Sequence, residues 1–147
     1  LLIIGSRVRA PPRSQMRHIL FAVLLIFSAQ RLESQVHHIK PADFLKMVTE
    51  NQRAQILDLR DVQEYQLRHI PGAVNIQPAD RFFLEDVRTQ FSVSDTLYIY
   101  CRIGKVNEVA ALLLKSGYNV IYNLKGGSVA WDVYLEKERR KKKKEGH

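Results

Sequence analysis

The sequence predicts a three-layer α/β domain: a central, mostly parallel sheet of about five strands with helices on both faces. Three observations carry that reading. Short runs rich in Val, Ile, Leu and Tyr alternate along the chain with stretches of helical period. Several of the short runs, such as "ILDL" and "LYIY", are apolar without a clean polar alternation, as in strands covered on both sides. The chain has 147 residues and an apolar fraction of 46%, enough for one core and about one domain. Neither an internal repeat nor an interdomain linker interrupts it.

The elements follow in order from residue 36. "VHHIK" (36–40) is a strand, and "PADFLKMVTEN" (41–51) a helix with Pro41 near its first turn. In that helix Phe44, Leu45 and Val48 share a face. "AQILDLR" (54–60) is a strand, followed by a short helix (61–69) stopped by Pro71-Gly72 and a short strand "AVNI" (73–76). A helix over 78–91 places Phe83, Leu84, Val87 and Phe91 at helical spacing. "TLYIYC" (96–101) is a strand, and the helix over 106–116 is ended by Gly117 as a left-handed cap. "NVIYNL" (119–124) is the last strand. A closing helix over 128–139 takes Ser128 as its N-cap.

The ends differ from this domain, which spans residues 35–136. Met16 is followed by a basic pair, Arg17 and His18, and an apolar run from Ile19 to Ala29. That is the pattern of a secretory signal peptide, ending near Ala29 or Ser34. The run is shorter than the roughly 20 apolar residues of a membrane span. A periplasmic or secreted location is therefore expected, and a cytoplasmic one if the segment is not cleaved. Residues 1–15 are read as an upstream extension outside the fold. Residues 137–147, "KERRKKKKEGH", form a basic tail, read as a solvated, frayed helix end.

The net charge of +8 resides in the ends. Residues 1–34 carry a net +4 and residues 137–147 a net +5, whereas 35–136 carry −1. The fold itself is nearly neutral, which argues against nucleic acid as its partner. The single cysteine excludes an internal disulfide, a Cys-x-x-Cys metal site and a dithiol redox pair.

Cys101 ends the fourth strand, and in parallel α/β sheets ligands bind at the carboxyl ends of strands. After it, Arg102, Ile103, Gly104 and Lys105 make a tight loop, and a helix begins near Val106. Such a loop aims backbone N–H groups inward and, with the helix dipole, forms an anion cradle. A thiol held there is expected to ionise more readily. Cys101 reads either as an inert buried residue or as a nucleophile; the two cations and the glycine that follow favour the nucleophile.

Three segments then resemble the rhodanese-like domain family, over most of residues 36–135. "ILDLRDVQEYQLRHIPGAVNIQ" (56–77) is similar to the family's Asp-x-Arg strand end followed by Glu-Tyr and His-Ile-Pro-Gly-Ala-x-Asn-Ile. "YCRIGKV" looks like its active-site loop, and "LKGGSVAW" (124–131) like its closing Gly-Gly-x-x-x-Trp segment. The resemblance implies thiosulfate-type sulfur transfer through a persulfide on Cys101. The cradle would be the loop N–H groups of Arg102, Ile103, Gly104, Lys105 and Val106. It also implies a small oxyanion as sulfur donor, a thiol or cyanide as acceptor, no cofactor and no metal; a monomer is expected. Related phosphatases use a Cys-x-x-x-x-x-Arg loop, whose arginine would clamp phosphate. Here the sixth residue after Cys101 is Asn107, which disfavours phosphatase- or arsenate-reductase-like chemistry. Val106 departs from the more basic family loop and leaves the choice of donor open.

Around the loop, Asp58 and Arg60 lie at the end of the second strand. They form either a structural ion pair, the preferred reading, or a brace from which Arg60 reaches the anion. His69 falls in a turn pattern, where a loop-fixing hydrogen bond is preferred to a base. His37 and His38 point to opposite faces of a strand, a poor metal geometry. Gly126 and Gly127 let the backbone approach the site's edge, and Trp131 packs. The alternative from another class is a rhodanese-like sulfur-relay or protein-binding module with little turnover.

Overall fold

In the computed structural model the described residues run from 36 to 146, inside the compact unit Ser34–His147. The upstream extension and the signal segment starting at Met16 lie outside the described residues. Five strands alternate with five helices: β1 (Val36–Ile39), α1 (Pro41–Glu50), β2 (Gln55–Asp58), α2 (Val62–Leu67) and β3 (Ala73–Asn75) come first. Then follow α3 (Phe83–Gln90), β4 (Leu97–Tyr100), α4 (Asn107–Lys115), β5 (Ile121–Leu124) and α5 (Gly127–Glu145). The strands form one sheet in the order β1-β5-β4-β2-β3, and every neighbouring pair is parallel.

Side chains alternate across the sheet and build a core on each face. Leu57, Leu97, Ile99 and Ile121 meet Phe83 and Val87 of α3 and Ala110 and Leu113 of α4. Ile56, Tyr98, Tyr100 and Leu124 meet Phe44 of α1 and Trp131 of α5. Burial on both faces explains why the central strands are apolar at consecutive positions. β4 is the extreme case: all four of its residues are buried. Because the strands are parallel, the residues that follow Asp58, Tyr100 and Leu124 emerge at one edge of the sheet, where the loops gather.

One helix starts well after the position the sequence predicts, and another is capped by a different residue. Residues 78–82 are turns, and α3 begins at Phe83 rather than 78. Asp80 accounts for the delay: its side chain accepts from the Phe82 N–H at 2.9 Å and its carbonyl from that of Phe83 at 3.1 Å. This local turn competes with a helical first turn. At the other end Ser128 is not the cap of α5. The helix begins at Gly127 behind a left-handed Gly126, with no side-chain cap.

α5 also continues past residue 139 to Glu145, so the basic tail is a solvated helix rather than a frayed end. Ion pairs of Arg139 and Arg140 with Glu136, one turn apart, support this stretch. Among the described residues no helix is long and apolar enough to cross a membrane.

Candidate active site

Cys101 follows directly on β4, the strand held between β2 and β5. It is partly exposed at the sheet's carboxyl edge, packed against the core cluster of α3 and α4. The next turn of chain, Arg102 to Val106, leads into α4. Val106 anchors the far end, since its side chain is buried in the same core. Ile103 and Lys105 project outward, and Arg102 pairs with Glu64 of α2 at 2.9 Å.

Three contacts grip the loop from below, and all use its carbonyl oxygens. The Ser128 N–H donates to the Cys101 carbonyl at 2.9 Å, and the Val129 N–H to that of Arg102 at 3.2 Å. These are first-turn donors of α5, which have no partner inside their own helix. The Asn123 amide donates to the Gly104 carbonyl at 2.9 Å. Close approach is what the glycines provide. A Cβ on Gly127 would lie 2.2 Å from the Cys101 carbonyl oxygen, and one on Gly104 would lie 2.7 Å from the Gly126 nitrogen. Both residues also hold positive φ, +62° and +78°.

The carbonyls being turned down, the loop's N–H groups are left over. From Arg102 to Asn107 none of them has an acceptor among the described residues. The Cys101 thiol lies within this loop and donates to the Lys105 carbonyl at 3.7 Å. Backbone donors without acceptors next to a partly exposed thiol are a setting for an anionic ligand or an anionic sulfur.

Beside this loop stands a second cluster, arranged in the opposite manner. Asp58 is fully buried and lies opposite Tyr100 in the sheet register. Its carboxylate accepts from Arg60 through Nε at 3.0 Å and Nη2 at 2.5 Å, and from the Tyr100 hydroxyl. Arg60 also donates to the Arg68 carbonyl at 2.8 Å and lies over the Tyr100 ring at 5.2 Å from its centre. Burial works against the Arg60 charge, but the hydrogen bonds and charge of Asp58 outweigh it and hold the guanidinium above its ordinary range. Burial, with the Asp58 carboxylate beside it, likewise pushes the Tyr100 phenol up. Arg60 is thus committed to Asp58 and Arg68.

His69 stacks on Tyr65 at 4.0 Å between ring centres and lies 2.9 Å from the Tyr65 carbonyl through Nδ1, which ties the chain just past α2 back to that helix. His37 and His38 separate as expected: His37 stacks on Tyr122, and His38 meets Asn123.

Sequence reasoning passed over Asn123. It is fully buried on β5, and its amide nitrogen contacts both Gly104 and His38 Nδ1, the latter at 2.8 Å. Its one visible signal was a lone polar letter in "VIYNL". Tyr100 carries no signal beyond its strand pattern, although its hydroxyl joins Asp58 to the Ile70 N–H. Glu64, partner of Arg102, had a signal as well: it lies three residues after Asp61, the N-cap of α2.

The fold and the loop together define a class: three-layer α/β domains that present a single thiol at the carboxyl edge of a parallel sheet. The chain belongs, more narrowly, to the rhodanese-like domain family, whose model matches residues 40–133. It is 32% identical over 107 residues to the thiosulfate sulfurtransferase GlpE of Pseudoalteromonas translucida, covering 70% of this chain and 96% of that protein. It is 30% identical over 99 residues to YrkF of Bacillus subtilis, named as a sulfur carrier protein, covering 67% of this chain. Only 52% of YrkF is covered, so the chain spans about half that relative's length. Among solved structures, a rhodanese-like domain protein from Staphylococcus aureus is 23% identical, with a TM-score of 0.54 over 65% of this chain and 90% of that one. That likeness shows the fold alone.

Proposed function

We propose that the domain is a sulfurtransferase in which Cys101 carries the sulfur as a persulfide. The carrying observation is the set of acceptor-free N–H groups from Arg102 to Asn107 around the chain's one thiol. Thiosulfate or a similar oxyanion is the donor. The Cys101 thiol gives its proton to solvent, and the thiolate attacks the outer, sulfane sulfur. A bond forms between Sγ and that sulfur, the donor's S–S bond breaks, and sulfite leaves with the electron pair. The terminal persulfide sulfur is itself anionic, so the same N–H groups serve donor and intermediate. A thiolate or cyanide then attacks the outer sulfur. The bond from Sγ to that sulfur breaks and Sγ departs with its electrons, restoring the thiolate. No external oxidant enters the cycle.

The similarity to GlpE supports this reading, and Asn107 supports sulfur over phosphate chemistry. As the first residue of α4 it is exposed and uncharged, where a phosphate-binding loop would place its arginine. The test is intact mass spectrometry after incubation with thiosulfate. Native protein is expected to gain the mass of one sulfur atom and Cys101→Ser to gain nothing. An unmodified native protein, or equal gain by the variant, overturns the proposal. Steady-state turnover with cyanide then separates an enzyme from a relay, because a relay loads without turning over. Export through the segment starting at Met16 is part of the same proposal. N-terminal sequencing of the mature protein is expected to begin after Ala29 or Ser34, and a chain retaining Met16 overturns it.

A further inference from the structure

The strongest feature that sulfur transfer leaves unused is the surface that leads away from Cys101 along α5. This helix begins beneath the loop, its first N–H groups on the carbonyls of Cys101 and Arg102. It then runs to Glu145, and the stretch from Val129 to Lys144 spans about 22 Å. Two hollows follow it. The one beside the loop is lined by Leu67, Arg102 and Val129, and the distal one by Val133, Lys137, Arg140 and Lys144. Arg68 and Asp132 line both, so the two make one track.

The track is graded. Near Cys101 charges of both signs nearly balance, and Leu67, 87% exposed, and Val129, 49% exposed, set an aliphatic patch among them, which Val133, 68% exposed, extends into the distal hollow. Farther out it is cationic. Five basic side chains line the distal hollow against two carboxylates, and both carboxylates are already engaged. Asp132 is held by Arg68 at 2.6 Å, and Glu136 by Arg139 and Arg140. The hydrogen bond from Arg140 leads in holding the Glu136 carboxyl below its ordinary range. Lys137 and Lys144 have no ion-pair partner among the described residues.

We propose that this track docks an acidic protein segment that brings the acceptor thiol to Cys101. Charge complementarity selects the occupant, and the aliphatic patch fixes which end of it meets the loop. A nucleic acid fits less well. The track offers no aromatic platform for bases, and Asp132 and Glu136 interrupt any phosphate rail. The transfer is the second half of the cycle: the acceptor thiolate bonds to the outer sulfur as the bond from Sγ to that sulfur breaks. The proposal rests on the sulfur-transfer reading for its cargo, but docking is measurable without any sulfur.

The test uses the full chain and two fluorescent peptides, a glutamate tract ending in Leu-Cys and the same peptide with glutamine in the tract. Binding is read by anisotropy with the peptide cysteine capped. Transfer is read by mass on the uncapped peptides from Cys101 loaded with thiosulfate. The acidic peptide is expected to bind about tenfold more tightly than the neutral one, with the difference lost at high salt. In the variant K137Q/R140Q/K141Q/K144Q that preference disappears while turnover with cyanide is unchanged; glutamine sustains the helix. Leu67→Ser, a change at a largely exposed side chain, weakens both peptides alike. Equal binding of the two peptides, a preference that survives the fourfold variant, or tighter binding of a short single-stranded RNA or of anionic vesicles overturns docking. Acidic-peptide binding by a protein that never loads sulfur overturns the sulfurtransferase reading instead.

Discussion

Two neighbouring clusters at the same edge of the sheet solve opposite problems. Asp58, Arg60 and Tyr100 form a closed set, in which the carboxylate is met by guanidinium, hydroxyl and backbone donors. The loop after Cys101 is an open set, its carbonyls tied down by Asn123, Ser128 and Val129 and its N–H groups without acceptors. Both carry arginines and both distinguish themselves by charge. Only the open one has binding capacity to spend on a ligand. The difference teaches that ionisable side chains at a strand end do not mark chemistry by themselves; unpaired donors around a reactive atom do.

The comparison can be broken most forcefully from the closed side. Asp58→Asn removes the counter-charge from buried Arg60, and a buried charge left without its partner costs about 3–5 kcal/mol. Urea unfolding is expected to show that loss, while sulfur loading per folded molecule stays near the native rate. A stable variant, or one that folds but no longer loads, would erase the division between the clusters.

The open side is tested by Gly127→Ala. The new Cβ falls against the Cys101 carbonyl and the backbone sits at positive φ, a strain of about 3 kcal/mol. Here loading and alkylation of Cys101 are expected to fall about tenfold, beyond what the loss of folded protein explains. Native alkylation rates in this variant would show that the grip on the carbonyls does not position the thiol.

The smallest effect comes from pH. Tyr100 is pushed above its ordinary value by burial and by Asp58. The unfolded chain releases this proton near pH 10, whereas the folded chain keeps it. Stability is therefore unaffected below about pH 10 and falls above it, by about 1.4 kcal/mol per unit for such a phenol. Tyr98 and Tyr118 are raised as well, both by burial. Tyr100→Phe is expected to flatten the alkaline slope by one proton's worth in denaturant titrations at several pH values. An unchanged slope would mean that the closed cluster opens before Tyr100 ionises.

The elements were legible because each is decided locally. Runs such as Leu97–Tyr100 and the apolar face of α4 declare themselves over a few residues, and the observed strand bounds fall within two residues of those expected. The strand order was not legible, since pairing β1 with β5 joins segments more than eighty residues apart. The same holds in the site. The position of Cys101 at a strand end was readable, whereas the tie from Asn123 to Gly104 depends on two strands lying side by side. Ser128 shows the limit most clearly. Its residue type says N-cap, but its N–H is claimed by Cys101, twenty-seven positions earlier. The helix starts one residue earlier, behind left-handed Gly126, and where its first-turn donors go depends on tertiary contact that no local pattern records.

Cys101 is also the one sulfur nucleophile of the chain. A sulfur loaded there as proposed would have no second thiol in this sequence to release it as an internal disulfide. On the proposed function, each molecule would store a single unit of cargo until something from outside collects it, and the waiting time would belong to the collector. Peroxide meeting the bare thiol faces the same solitude: without a resolving partner, the sulfenic acid must be rescued by an external thiol or pass on to the irreversible sulfinic form.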